Sequence, residues 1–139
     1  MTPDMSMTPD MSEAKGVLDT SVVIAHDVTP LPGILAISAA TVAELHFGIL
    51  IARSAEVRAE RLRRLSILQR RFDPLPVDEA VAASYGRLAA AVVESGRQPR
   101  RRVMDLLIAA TAHAHGARLY TRNPHDFAGL EDLVDTVVV

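Results

Sequence analysis

Cysteine is absent from the 139-residue chain, which excludes a disulfide framework and any thiolate-held metal or redox centre. Tryptophan is absent as well, and three Phe and two Tyr are all the aromatic residues there are. The 49% apolar content therefore rests on Ala, Leu, Val and Ile. No apolar run reaches membrane-spanning length. The N-terminus has no basic segment followed by an apolar one, so no signal peptide is expected and a cytoplasmic location is the default. Histidines are too scattered for a zinc site. His113 and His115 lie two apart and face different sides of a helix, and His26, His46 and His125 are isolated.

What remains suits one domain with a real hydrophobic core. The net charge of −2 conceals an asymmetry. Residues 53–102 hold 12 of the 15 basic residues and six of the 17 acidic ones, a local balance of +6, and the rest of the chain is acidic. Such a basic middle is either a solvated helix face or a patch for a polyanion or an acidic partner. The hexapeptide MTPDMS occurs twice, at residues 1–6 and 7–12. It reads as a polar tail with two possible start methionines, so residues 1–15 are expected to be flexible and residues 16–139 to form the domain.

Within that domain, strands alternate with helices. Short strands are expected at residues 16–18, 34–37, 75–77, 118–121 and 134–139. Helices are expected from residue 20 to about 26, through the apolar run after Ser38, and over 56–71, 79–94 and 104–114. Asp78 is placed to cap the fourth of these, and Gly96 to end it. Helix 56–71 is amphipathic, with Val57, Arg61, Leu65 and Leu68 near one stripe. This α/β pattern argues for a parallel sheet with helices on both faces.

Four acids sit in apolar company. Asp19 ends the first strand, at the end where open parallel sheets bind ligands. Glu44 lies in TVAELHFGI, Asp105 is the lone acid of RRVMDLLIAATAHA, and Asp126 follows the strand at 118–121. Each has a structural explanation. Asp19 can cap a helix, and Thr41 with Glu44 makes a capping box. Asp105 suits a first helical turn, and Asp126 an Asx turn. Brought together, however, four carboxylates would repel one another and hold their protons. A hard divalent cation removes that penalty, and all-oxygen ligands favour Mg2+ or Mn2+ over zinc. Such a site activates water for attack on a phosphodiester, and a second metal, where present, stabilises the leaving oxygen.

The motifs VLDTSVVIA, TVAELHFGI, RRVMDLLIAATAHAHG and LYTRNPHDF, in this order and spacing, resemble those of PIN-domain ribonucleases of the VapC toxin group. The likeness spans about residues 16–139. It implies a PIN-like α/β/α sandwich around a mostly parallel sheet and an Mg2+- or Mn2+-dependent endoribonuclease acting on RNA. It also implies a homodimer and a VapB-type antitoxin whose C-terminal segment blocks the site. By motif, Asp19, Glu44 and Asp105 take the first three acidic positions, as metal ligands and catalytic groups. The fourth lies between Asn123 and Asp126. Asp126 is the acid that completes the cluster, and Asn123 a neighbour that orients water or phosphate. Thr20 and Ser21 either steady the site through their hydroxyls or cap the helix. Arg102, one helical turn before Asp105, is the first choice for a contact to RNA phosphate. The apolar stripe of helix 56–71, with Leu45, Phe47 and Leu50, offers either core packing or a groove for the antitoxin. Two other readings stay open: a non-catalytic RNA- or protein-binding module on the same fold, and a phosphotransfer enzyme using Asp19 as nucleophile. The latter lacks a second acid two residues on, where Ser21 stands.

Overall fold

A computed structural model describes residues 14–139; the tail expected over residues 1–15 lies, but for its last two residues, outside the described part. Strands β1 (Lys15–Leu18), β2 (Ile34–Ala36), β3 (Arg118–Thr121) and β4 (Thr136–Val138) form one sheet in the order β2-β1-β3-β4. Every neighbouring pair is parallel. The helices are α1 (Thr20–Val23), α2 (Ala39–Leu50), α3 (Ala55–Arg71), α4 (Glu79–Glu94) and α5 (Val103–Ala114). This is the expected α/β/α sandwich. No described helix is long and apolar enough to cross a membrane.

Side chains alternate across a strand, and here that alternation divides the core in two. Val17 and Leu119 enter one cluster with Val81, Leu88 and Val92 of α4 and Leu106 and Ile108 of α5. Leu18 and Tyr120 face the other way, onto Val22 and Ile37. The middle of helix α5, Leu106 and residues 108–112, is buried, as its largely apolar run requires. The Asp78 carboxylate caps α4 through a 3.0 Å hydrogen bond from the Val81 amide.

Gly16 lies under the Tyr120 ring. A Cβ there would sit 2.5 Å from Cε2 and 2.9 Å from Cδ2, and Tyr120 is itself buried. Gly16→Ala is therefore expected to destabilise the fold by about 1–3 kcal/mol through overpacking. A lowered thermal midpoint in circular dichroism checks this; an unchanged midpoint would mean that the ring yields freely.

Strand β2 ends one residue early, at Ala36, and three further elements are shorter than expected. The strand at residues 75–77 shrinks to one bridge between Ser38 and Leu75, because Pro74 and Pro76 have no N–H for a ladder. The last strand starts at Thr136, since the Val134 amide turns back to Leu130 O. Helix α1 stops at Val23, where Arg64 of α3 donates to the carbonyls of Val23 and Ile24 at 3.3 and 3.1 Å. Arg61 likewise donates to Gly48 O and Arg58 to Ala52 O. Neither α1 nor α2 carries a basic residue in its own last turn. Arg64 and Arg61 of α3 satisfy end carbonyls of α1 and α2 from outside, and Arg58 the carbonyl of Ala52 just beyond α2. Leu65 is the buried residue of α3, whereas Val57, Leu62 and Ile67 stay exposed.

Candidate active site

The carboxyl ends of β1 and β3 lie side by side, with Leu18 in register with Tyr120. The residues that follow, Asp19 and Thr121, consequently meet. Asp19 is buried at 4% exposure. It occupies the N-cap position of α1, yet its side chain makes no capping hydrogen bond. Instead its Oδ2 accepts from Ser21 Oγ at 2.7 Å and from Thr121 Oγ1 at 2.8 Å. Two hydroxyls thus aim the carboxylate where a cap would have turned it into the helix.

Glu44 is not part of a capping box. Helix α2 begins three residues earlier than that reading requires, with Ser38 as N-cap accepting from the Ala40 amide at 3.0 Å. Thr41 is fully buried inside the helix. Glu44 lies in the second turn, and its Oε1 accepts a 2.7 Å hydrogen bond from Thr20 Oγ1. Thr20 also sits 3.1 Å from Thr41 Oγ1. The two hydroxyl residues after Asp19 therefore divide their work: Ser21 holds Asp19 and Thr20 holds Glu44.

Asp105 stands in the first turn of α5, half-buried. Burial and the negative charges of Asp126, Asp19 and Glu44 push its carboxyl up to about 6, against a lesser opposing pull from Arg102. A carboxyl at a helix N-terminus ordinarily moves the other way. The surrounding charge and the desolvation outweigh the dipole, as they do where carboxylates crowd one site. Asp126 lies in a 3-10 turn, Pro124–Phe127, with His125 Nε2 3.3 Å from its Oδ1. His125 is thus beside the acids and not isolated. Asn123 is exposed, and its backbone amide donates to Thr121 Oγ1 at 3.0 Å. Arg102 Nη1 donates to the carbonyls of His125 at 3.0 Å and Asp126 at 2.5 Å. Arg122 turns away and pairs with Asp27.

The acids singled out in the sequence therefore come together at one end of the sheet. The donor set is all oxygen and carries excess negative charge, which suits a hard cation. Among the described residues no three acidic or histidine side chains are already closed around a single ion position. Thr121 is the residue the sequence reading misses. Its signal was available: pairing VLD with LYT in parallel register sets Thr121 against Asp19.

A family model for the PIN domain matches residues 16–132. The chain belongs to the PIN-domain family. Within it, the chain is similar to ribonuclease VapC5 of Mycobacterium tuberculosis, at 38% identity over 97% of this chain and 98% of that protein. It is also similar to ribonuclease VapC8 of the same organism, at 41% identity over 70% of this chain and 89% of that one. These likenesses place the PIN domain in the VapC group. A crystal structure of VapBC-5, a member of the VapBC family of toxin–antitoxin systems from M. tuberculosis, superposes with a TM-score of 0.76. It has 38% identity and covers 91% of this chain and 98% of that one.

A groove of 460 Å³ runs from the site of this PIN domain along α1, α2 and α3. Thr20 and Glu44 stand in its wall with Val23, Leu45, Leu65 and Leu68. Phe47 and Leu50, also expected near such a groove, point outward and are exposed.

Proposed function

We propose that this chain is the toxin of a toxin–antitoxin pair and acts as a divalent-metal-dependent endoribonuclease. The observation that carries the reading is Asp105, half-buried beside Asp126, Asp19 and Glu44, where burial first and their charges second raise its affinity for a proton. A fold keeps such a charge cluster unpaired only at a cost. Asp19, Glu44, Asp105 and Asp126 would hold Mg2+ or Mn2+. When bound, the metal supplies an acidified water and charge neutralisation at a phosphate oxygen, and a second ion would stabilise the leaving oxygen.

The chain's own groups supply the rest. Ser21 and Thr121 keep Asp19 aimed at the site, and Thr20 keeps Glu44 beside it. Glu44 is a ligand or a base that accepts the proton of the attacking water. Asn123, exposed at the rim, offers an amide to phosphate or water. Arg97, Arg100 and Arg101, in the segment leading to α5, attract an RNA backbone. Residues 16–139 act as one nuclease domain.

The partner reading follows from the relatives. The similar solved structure is a toxin–antitoxin assembly, and the groove along α1–α3 opens beside Glu44 and Thr20. An antitoxin segment with an apolar face would fill that groove and cover the acids. A homodimer in the cytoplasm completes the proposal.

Incubation of the purified full chain with RNA in metal-defined buffer tests the activity. Internal cleavage is expected with Mg2+ or Mn2+ and none with EDTA. No cleavage under any divalent metal, together with no Mn2+ binding by calorimetry, would favour a non-catalytic binding module.

A further inference from the structure

Arg102 is placed differently from an arginine waiting for a phosphate. It is the N-cap residue of α5, with no side-chain cap bond to that helix. Its Nη1 instead reaches the turn Pro124–Phe127 and donates to two successive carbonyls, His125 O and Asp126 O. The turn has its own internal bonds, from the Asp126 amide to Asn123 O and from Ala128 to His125 O. These close the turn on itself but do not tie it to α5. Three residues beyond Arg102 comes Asp105; the second clasped carbonyl belongs to Asp126. One guanidinium nitrogen therefore joins the segment carrying one acid to the backbone of the other. Among the described residues, neither acid has a hydroxyl tether of the kind that fixes Asp19 and Glu44.

We propose that Arg102 is a positioning residue: it clasps the Pro124–Phe127 turn to the first turn of α5 and so sets the separation of Asp105 from Asp126. The inference rests on the reading of these carboxylates as a cation site, and it assigns Arg102 to the site's frame in place of the RNA contact expected from sequence. The planar guanidinium suits the task, because a nitrogen fixed in a rigid fork can lie between two carbonyls. A lysine ammonium keeps the charge on a flexible stem and loses that geometry.

The test uses the full chain without RNA, as wild type, Arg102→Lys and Arg102→Met. Hydrogen exchange is followed in metal-free protein and Mn2+ binding by calorimetry. In Arg102→Met, exchange at Asp126, Ala128 and Leu130 is expected to quicken about tenfold, with the centre of α5 unchanged. Mn2+ affinity is expected to fall about tenfold, the size of effect seen when a group that orients metal ligands is removed. Arg102→Lys, which retains the charge and guards against a folding defect, should recover only a minor part of either loss.

Three results would overturn the proposal. Unchanged exchange and Mn2+ affinity in Arg102→Met would mean that the turn is held without Arg102. Tighter Mn2+ binding in the methionine variant would mean that only its positive charge mattered. Full recovery by lysine would say the same. If the wild type binds no Mn2+, the cation reading fails and the exchange result alone decides whether the clasp exists.

Discussion

Asp19→Asn and Asp105→Asn are each expected to slow RNA cleavage by about three orders of magnitude while leaving the fold intact. Both changes keep side-chain volume and remove one negative charge. At position 19 the amide oxygen can still accept from Ser21 and Thr121, so the local network survives. What is lost is an anionic oxygen donor among four carboxylates. Metal-assisted activation of water and phosphate contributes several kcal/mol to such reactions, and each 1.36 kcal/mol is a factor of ten in rate. The measurement is single-turnover cleavage of RNA in metal-defined buffer, with circular dichroism as control. Wild-type rates in either variant would remove these acids from the chemistry.

The second prediction concerns stability and needs no RNA. In the metal-free fold the Asp105 carboxyl is raised from 3.8 to about 6. The folded protein therefore holds this proton more tightly than the unfolded chain does. The stabilisation it gives is complete below pH 4 and is lost as pH rises through 6. Asp105→Asn, which resembles the protonated acid, escapes that loss. Metal-free Asp105→Asn is expected to melt at the wild-type temperature near pH 4 and above it at pH 7.5. A two-unit shift corresponds to roughly 3 kcal/mol, but screening at a half-exposed group brings this to about 1 kcal/mol, or a few degrees in Tm. Mn2+ reverses the order. At a hundred times its dissociation constant a bound ion stabilises the fold by about 2.7 kcal/mol, and the asparagine variant should lose most of that gain. Parallel pH profiles for the two proteins, with and without Mn2+, would show that Asp105 does not belong to the cluster.

Much of this site was legible in the sequence because its acids lie where local pattern is strong. Asp19 follows the short strand β1, and Asp105 stands in the first turn of a largely apolar helix. Both positions follow from periodicity. Glu44 is legible as an acid in apolar company, but its local setting is not: a capping box and a second-turn glutamate differ only in where the helix starts, and Ser38 sets that start. Thr121 and the clasp of Arg102 depend on contacts about a hundred and about twenty residues apart, which no local pattern encodes. The strand expected at 75–77 failed because two prolines removed the ladder donors, a cue that was present in the sequence.

The arginines of α3 bear on how RNA would meet this surface. Residues 53–102 carry a balance of +6, and the raw count describes a polyanion patch. Yet Arg61 and Arg64 have turned N–H groups onto the end carbonyls of α2 and α1, and Arg58 onto Ala52 O just beyond α2. Their charge persists and is felt at a distance, but those donors are committed. These side chains can draw an anionic strand toward the domain without gripping it. Attraction and grip are thus separate properties of one basic stretch, and only the first can be counted from the letters.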